Sequence, residues 1–150
     1  LVQLTHFAPL GQRGTAYLPR AAAYGMLGDK EEYRALANKV KLVSAHIETV
    51  EAVKNLDSIL TVEGIDVFFI GPGDLSSSMN LPASDEKVQN TIKACIEKIT
   101  AAGKIAGTYV GSPEDTKKMI DWGARYLVTS INSYMITGGK KYLEEVKKHL

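Results

Sequence analysis

The stretch Ile65-Asp66-Val67-Phe68-Phe69-Ile70-Gly71-Pro72-Gly73-Asp74-Leu75-Ser76 constrains the fold more than any other part of the chain. A β-branched and aromatic run without polar alternation reads as a strand buried on both faces, the kind found in parallel sheets. It stops at Gly-Pro-Gly, where two glycines permit turns closed to other residues and the proline stiffens the link between them. Asp74 therefore stands where the chain leaves the core. In α/β folds that end of a strand is where chemistry is usually placed. The same Asp can equally cap a helix or form a turn, and the Leu75-Ser76-Ser77-Ser78 that follows suits either role.

A second stretch has the same form. Leu42 to Ile47 is a strand pattern, Glu48 ends it, and Thr49 is placed to cap a helix starting at Val50. Adjacent βα units bring Glu48 and Asp74 to one rim, a single strand spacing apart. Two carboxylates converging there repel each other unless a cation lies between them. The pair is a candidate site for a hard divalent metal.

The rest of the chain supports a parallel α/β reading. Asp29, with acids following, starts a helix over Glu31 to Lys39. Val50, Val53, Leu56, Ile59 and Leu60 have helical spacing, ending by Gly64. Ser84 is placed to cap a long helix from Asp85 to Ala102, with Val88, Ile92, Cys95, Ile96 and Ile99 on one face. Ile105 to Val110 is a third strand. Ser112-Pro113-Glu114-Asp115 opens a helix that Gly123 closes. Tyr126 to Ser130 is a fourth strand, and Gly138-Gly139 precede a last helix, Tyr142 to His149. Leu1 to Phe7 reads as a short strand or connector, and Thr15 to Met26 as weakly helical. The order β-α-β-α-β-α-β-α predicts a parallel sheet with right-handed crossovers. Four such units make a small doubly wound sheet or half of an eight-stranded barrel. A chain of 150 residues is enough for a single domain spanning 1–150.

Composition narrows the function. A net charge of +1 with no basic stripe argues against nucleic acid. No apolar run is long enough for a bilayer, and none reads as a signal peptide, so no membrane role is expected. Cys95 is the lone cysteine and sits in an apolar helical pattern, so it reads as a core thiol. A reducing, cytoplasmic setting follows. No nucleotide-binding glycine motif is present. The chain opens on Leu1 rather than Met, as expected of a fragment, a processed chain or a partial sequence.

Taken together, Pro9-Leu10-Gly11-Gln12-Arg13-Gly14, Ile47-Glu48-Thr49, Asn55-Leu56-Asp57, Val62-Glu63-Gly64-Ile65-Asp66 and Phe69 to Ser76 stand in one order. That set resembles the HpcH/HpaI family of metal-dependent class II 2-oxo acid aldolases, in the phosphoenolpyruvate/pyruvate-binding barrel superfamily. The resemblance implies the carboxyl-terminal half of a TIM (β/α)8 barrel, about four βα units. It implies a carbon–carbon lyase that cleaves or forms 2-oxo acids through a pyruvate enolate, with a pyruvate-like 2-oxo acid and an aldehyde as partners. It places the metal ligands at Glu48 and Asp74, with Mg²⁺ or Mn²⁺ as the ion and Co²⁺ as a further candidate. It places substrate contacts at Gly73 and Asp74, whose backbone would hold the carboxylate, and at His46, which replaces a frequent Gln and is expected to touch the ligand or the metal's water. A His at a strand end can also be purely structural. Relatives often carry Asp where Asn132 stands. The family's base and enolate-stabilising Arg fall upstream of residue 1, leaving catalytic residues unassigned; Arg13 reads as structural or as an oligomer contact. Family trimers and hexamers imply a homo-oligomer. Two other readings stay open: a citrate-lyase-β-like acyl-CoA lyase, and a non-catalytic half barrel that needs a partner chain or a missing amino-terminal half.

Overall fold

The computed structural model describes all residues from Leu1 to Leu150. Its centre is a four-stranded sheet of β1 (Ser44–Ile47), β2 (Val67–Ile70), β3 (Ile105–Tyr109) and β4 (Tyr126–Val128), in the order β1-β2-β3-β4. Every pairing is parallel, and His46 stands opposite Phe69 and Ile47 opposite Ile70. β2 is buried along its whole length, as its unbroken apolar run requires.

The helices are α1 (Val2–Thr5), α2 (Lys30–Val40), α3 (Val50–Lys54), α4 (Leu56–Leu60), α5 (Pro72–Met79), α6 (Glu86–Ala101), α7 (Pro113–Trp122) and α8 (Ile131–Lys147). Ile47, Phe68, Ile70 and Ala106 point from the sheet toward the helices and join one core with Leu56, Leu75 and the inner face of α6. That face is Val88, Ile92, Cys95, Ile96 and Ile99, the five positions read from spacing. A smaller cluster, Phe7, Ala22 and Tyr33, ties the amino-terminal segment to α2. On the opposite face Val67 and Phe69 of β2 are buried, but the β3–β4 side is open: Ile105 is 46% exposed, and Tyr109, Tyr126 and Val128 are exposed beside it.

The structure corrects several boundaries. Leu1 to Phe7 holds the short helix α1 rather than a strand. Between Thr15 and Met26 only a 3-10 segment, Arg20–Gly25, forms, and left-handed φ angles at Ala23 and Tyr24 interrupt it. The helix expected from Val50 to Leu60 divides at Asn55 into α3 and α4. Asp85, not Ser84, caps α6, its side chain accepting from the Lys87 N–H. β4 ends at Val128, and α8 runs straight through Gly138 and Gly139. The caps at Asp29 and Ser112 and the left-handed Gly123 that closes α7 stand where the sequence puts them.

Candidate metal and oxo-acid site

Parallel strands put all four carboxyl ends on one rim. The β1–β2 register carries Glu48 level with Gly71, and the Gly71 N–H donates to the Ile47 carbonyl at 3.3 Å. Gly71 has no side chain to keep the acid away. A Cβ there would lie 3.1 Å from Glu48 Oε2 and 3.2 Å from Glu48 Cβ. The Glu48 carboxylate thus leans across the start of the next βα turn.

Beyond Gly71 the chain enters α5, with Pro72 in its first turn. Gly73 and Asp74 follow, at positions where helix N–H groups have no intrahelical carbonyl to bond. Nothing lies within 4 Å of a Cβ built on Gly73, so the space beside that backbone is open. The residue capping α5 is Gly71, and no side chain caps the helix. Asp74 is therefore not consumed as a helix cap, the competing role its position allowed.

Neither acid is neutralised within the chain. Glu48 has one charged-group neighbour, His46, whose Nδ1 lies 3.2 Å from Glu48 Oε2; Asp74 forms no ion pair. The His46 ring packs 4.9 Å from the Phe69 ring across the β1–β2 register. Both members of the His46–Glu48 pair are partly solvent-exposed, and Asp74 is exposed. Two exposed carboxylates without a cationic side chain suit a hard divalent ion by their donor chemistry. No three His, Cys, Asp or Glu side chains are assembled into one metal-holding group.

Serines fix the scaffold around these groups. Ser76 Oγ and Ser77 Oγ both donate to the Gly73 carbonyl, at 2.7 and 3.0 Å. Ser78 Oγ accepts from the Val50 N–H at 3.0 Å, fastening α5 to the first turn of α3. Thr49 Oγ1 caps α3 by accepting from the Ala52 N–H. The loop carrying Glu48 is thereby tied to the helix carrying Asp74. The serine run showed in sequence, but its links to Val50 and Gly73 depend on folding.

Other features lie apart from this rim segment. A cavity of about 740 Å³ opens beside the ends of β3 and β4, lined by Ser112, Thr116, Thr129, Ser133 and Tyr134 among others, without Glu48 or Asp74. Asn132 lies in the first turn of α8, its N–H donating to the Ser130 cap. Arg13, exposed, lies over the Phe7 ring at 4.7 Å. Lys41 approaches the same ring; burial and then the Arg13 charge push its ammonium below the ordinary value. Cys95 is buried, as expected, and burial raises its thiol despite the opposing pull of Lys98.

Comparison with known proteins places the fold. A 2-keto-3-deoxy-L-rhamnonate aldolase of Salmonella schwarzengrund is 41% identical over 140 residues, 91% of this chain and 51% of that protein. The chain thus spans about half the length of that relative. A HpcH/HpaI aldolase/citrate lyase family protein of Burkholderia cenocepacia superposes with a TM-score of 0.85 at 28% identity, over 97% of this chain and 58% of the other. A HpcH/HpaI aldolase of Desulfitobacterium hafniense gives 0.80 at 25% identity, over 97% and 57%. The four parallel units thus match part of the larger α/β fold of these proteins. Residues 1–135 match the sequence pattern of one family throughout, and the chain belongs to the HpcH/HpaI aldolase/citrate lyase family.

Proposed function

We propose that this chain carries the metal- and oxo-acid-binding rim of a class II 2-oxo acid aldolase, a carbon–carbon lyase working through a pyruvate enolate. The observation that carries the reading is the Glu48–Asp74 pair: two carboxylates after adjacent parallel strands, neither with a lysine or arginine partner, beside the open backbone of Gly73. We assign residues 1–150 to one domain.

Glu48 and Asp74 would hold a divalent cation, Mg²⁺ or Mn²⁺ with Co²⁺ as a further candidate, leaving positions for water and substrate. When bound, the ion supplies Lewis-acid polarisation of the keto oxygen and offsets charge developing on it. The N–H groups of Gly73 and Asp74, at the positive end of α5, receive the substrate carboxylate. His46, on the same face as Glu48, borders the 2-oxo acid. A pyruvate-like acid and an aldehyde are the partners this rim suits. Base and enolate-stabilising Arg are assigned to strands other than these four, because the family resemblance puts neither on them. No helix is long and apolar enough to cross a membrane.

Exposure of Ile105 and its neighbours on the unhelical side of the sheet favours a second reading for the chain alone: it binds but does not turn over until other strands cover that face. Pyruvate release from a 4-hydroxy-2-oxo acid, measured with and without Mn²⁺, separates the two. Metal-dependent release that disappears in Glu48→Ala supports a complete catalyst. Release that needs no metal would overturn the aldolase reading.

A further inference from the structure

We infer that His46 is a nitrogen ligand of the same cation, so that this chain uses an imidazole–carboxylate set and prefers Mn²⁺ or Co²⁺ to Mg²⁺. The inference rests on the metal reading above and goes beyond it by adding a donor and a selectivity.

The distance is the first argument. Two donor atoms each ~2.1 Å from one ion and at right angles to each other lie ~3.0 Å apart. His46 Nδ1 and Glu48 Oε2 are 3.2 Å apart, the edge of such a polyhedron. The second argument is that the pair is held in place. His46 lies within β1, paired with Phe69 of β2, and its ring packs on the Phe69 ring at 4.9 Å. Glu48 is flanked by β1 on one side and the Thr49 cap of α3 on the other. The third argument is that Glu48 is the only polar partner of the imidazole, so no carbonyl or other side chain holds either ring nitrogen away from an ion. His46 and Glu48 are 55% and 38% exposed, so an ion and its waters reach them freely. Asp74, exposed and without an ionic partner, is the further carboxylate of the proposed set; the three side chains are not assembled into one group in the absence of an ion.

Imidazole added to carboxylates moves a site away from Mg²⁺, which favours oxygen donors, and up the series from Mn²⁺ to Co²⁺. The test loads the full chain with Mn²⁺ and records pulsed electron paramagnetic resonance, with Co²⁺ and Mg²⁺ affinities measured by calorimetry. The expected result is an imidazole ¹⁴N coupling that His46→Gln removes, while His6 and His149 remain. The same variant should lower the Co²⁺-to-Mg²⁺ affinity ratio about tenfold or more. Bound Mn²⁺ without nitrogen coupling, coupling that survives in His46→Gln, or an unchanged ratio overturns the inference. If binding without nitrogen is nonetheless lost in Glu48→Gln, the carboxylate reading stands alone. If Mn²⁺ does not bind, or binds equally in Glu48→Gln and Asp74→Asn, both fail.

Discussion

Gly71 sets how closely the Glu48 carboxylate can approach the next βα turn. An alanine there would press its methyl against Glu48 Oε2 at 3.1 Å and Glu48 Cβ at 3.2 Å, tighter than ordinary van der Waals contact, so both the carboxylate and the backbone that carries it must shift. Gly71→Ala should therefore weaken Mn²⁺ binding by about tenfold and also lower the unfolding midpoint, as paired calorimetry and thermal melts would show. Cys95 gives a pH prediction. Its folded thiol is raised by burial, so the folded state keeps a proton that the unfolded chain gives up. That contribution is fully present below the ordinary thiol value of 9.0 and is lost as pH rises beyond it. Urea midpoints should fall more steeply above that pH in the parent chain than in Cys95→Ser. Equal slopes would show the thiol is not the group responsible.

Elements legible in the sequence were those whose signals agreed at short range. α6 shows five apolar side chains at helical spacing, and all five are buried. α7 carries cap, proline, acids and closing glycine in the proper order, and each takes its expected place. Ser112→Ala removes an oxygen that accepts from the Asp115 N–H at 3.0 Å. It should cost about 1 kcal/mol and lower the melting point by about 2–4 °C. The illegible elements are those where short-range signals mislead. Gly138-Gly139 reads as a breaker, yet a helix tolerates each glycine at a cost of about 1 kcal/mol, and α8 continues through both. Val50 to Leu60 has the period of one helix but breaks at Asn55, which caps α3 and begins α4. The choice between Ser84 and Asp85 turned on one backbone geometry that spacing cannot specify.

At the scale of the molecule, β1 and β4 each have a single sheet neighbour, so both outer edges of a parallel sheet lie open. The sheet face away from the helices exposes Ile105, Tyr109, Tyr126 and Val128, and α8 exposes Ile131, Tyr134, Met135 and Ile136. Surfaces of this kind associate. Light scattering of the purified chain should give a mass well above 16.3 kDa, or a stable complex with a second polypeptide. A soluble monomer of that mass would contradict the expectation. The sequence carried Glu48 and Asp74 to one rim because parallel βα order alone decides which ends of strands share a side. It could not show that Gly71 makes room for Glu48, that Phe69 seats His46, or that Ser78 fastens α5 to α3, since these are contacts between units. The central claim is that Glu48 and Asp74 share one divalent cation. Calorimetric titration with Mn²⁺ tests it most directly: one ion per chain is predicted, with binding abolished in Glu48→Ala and in Asp74→Ala. Undiminished affinity in the double variant would contradict the account.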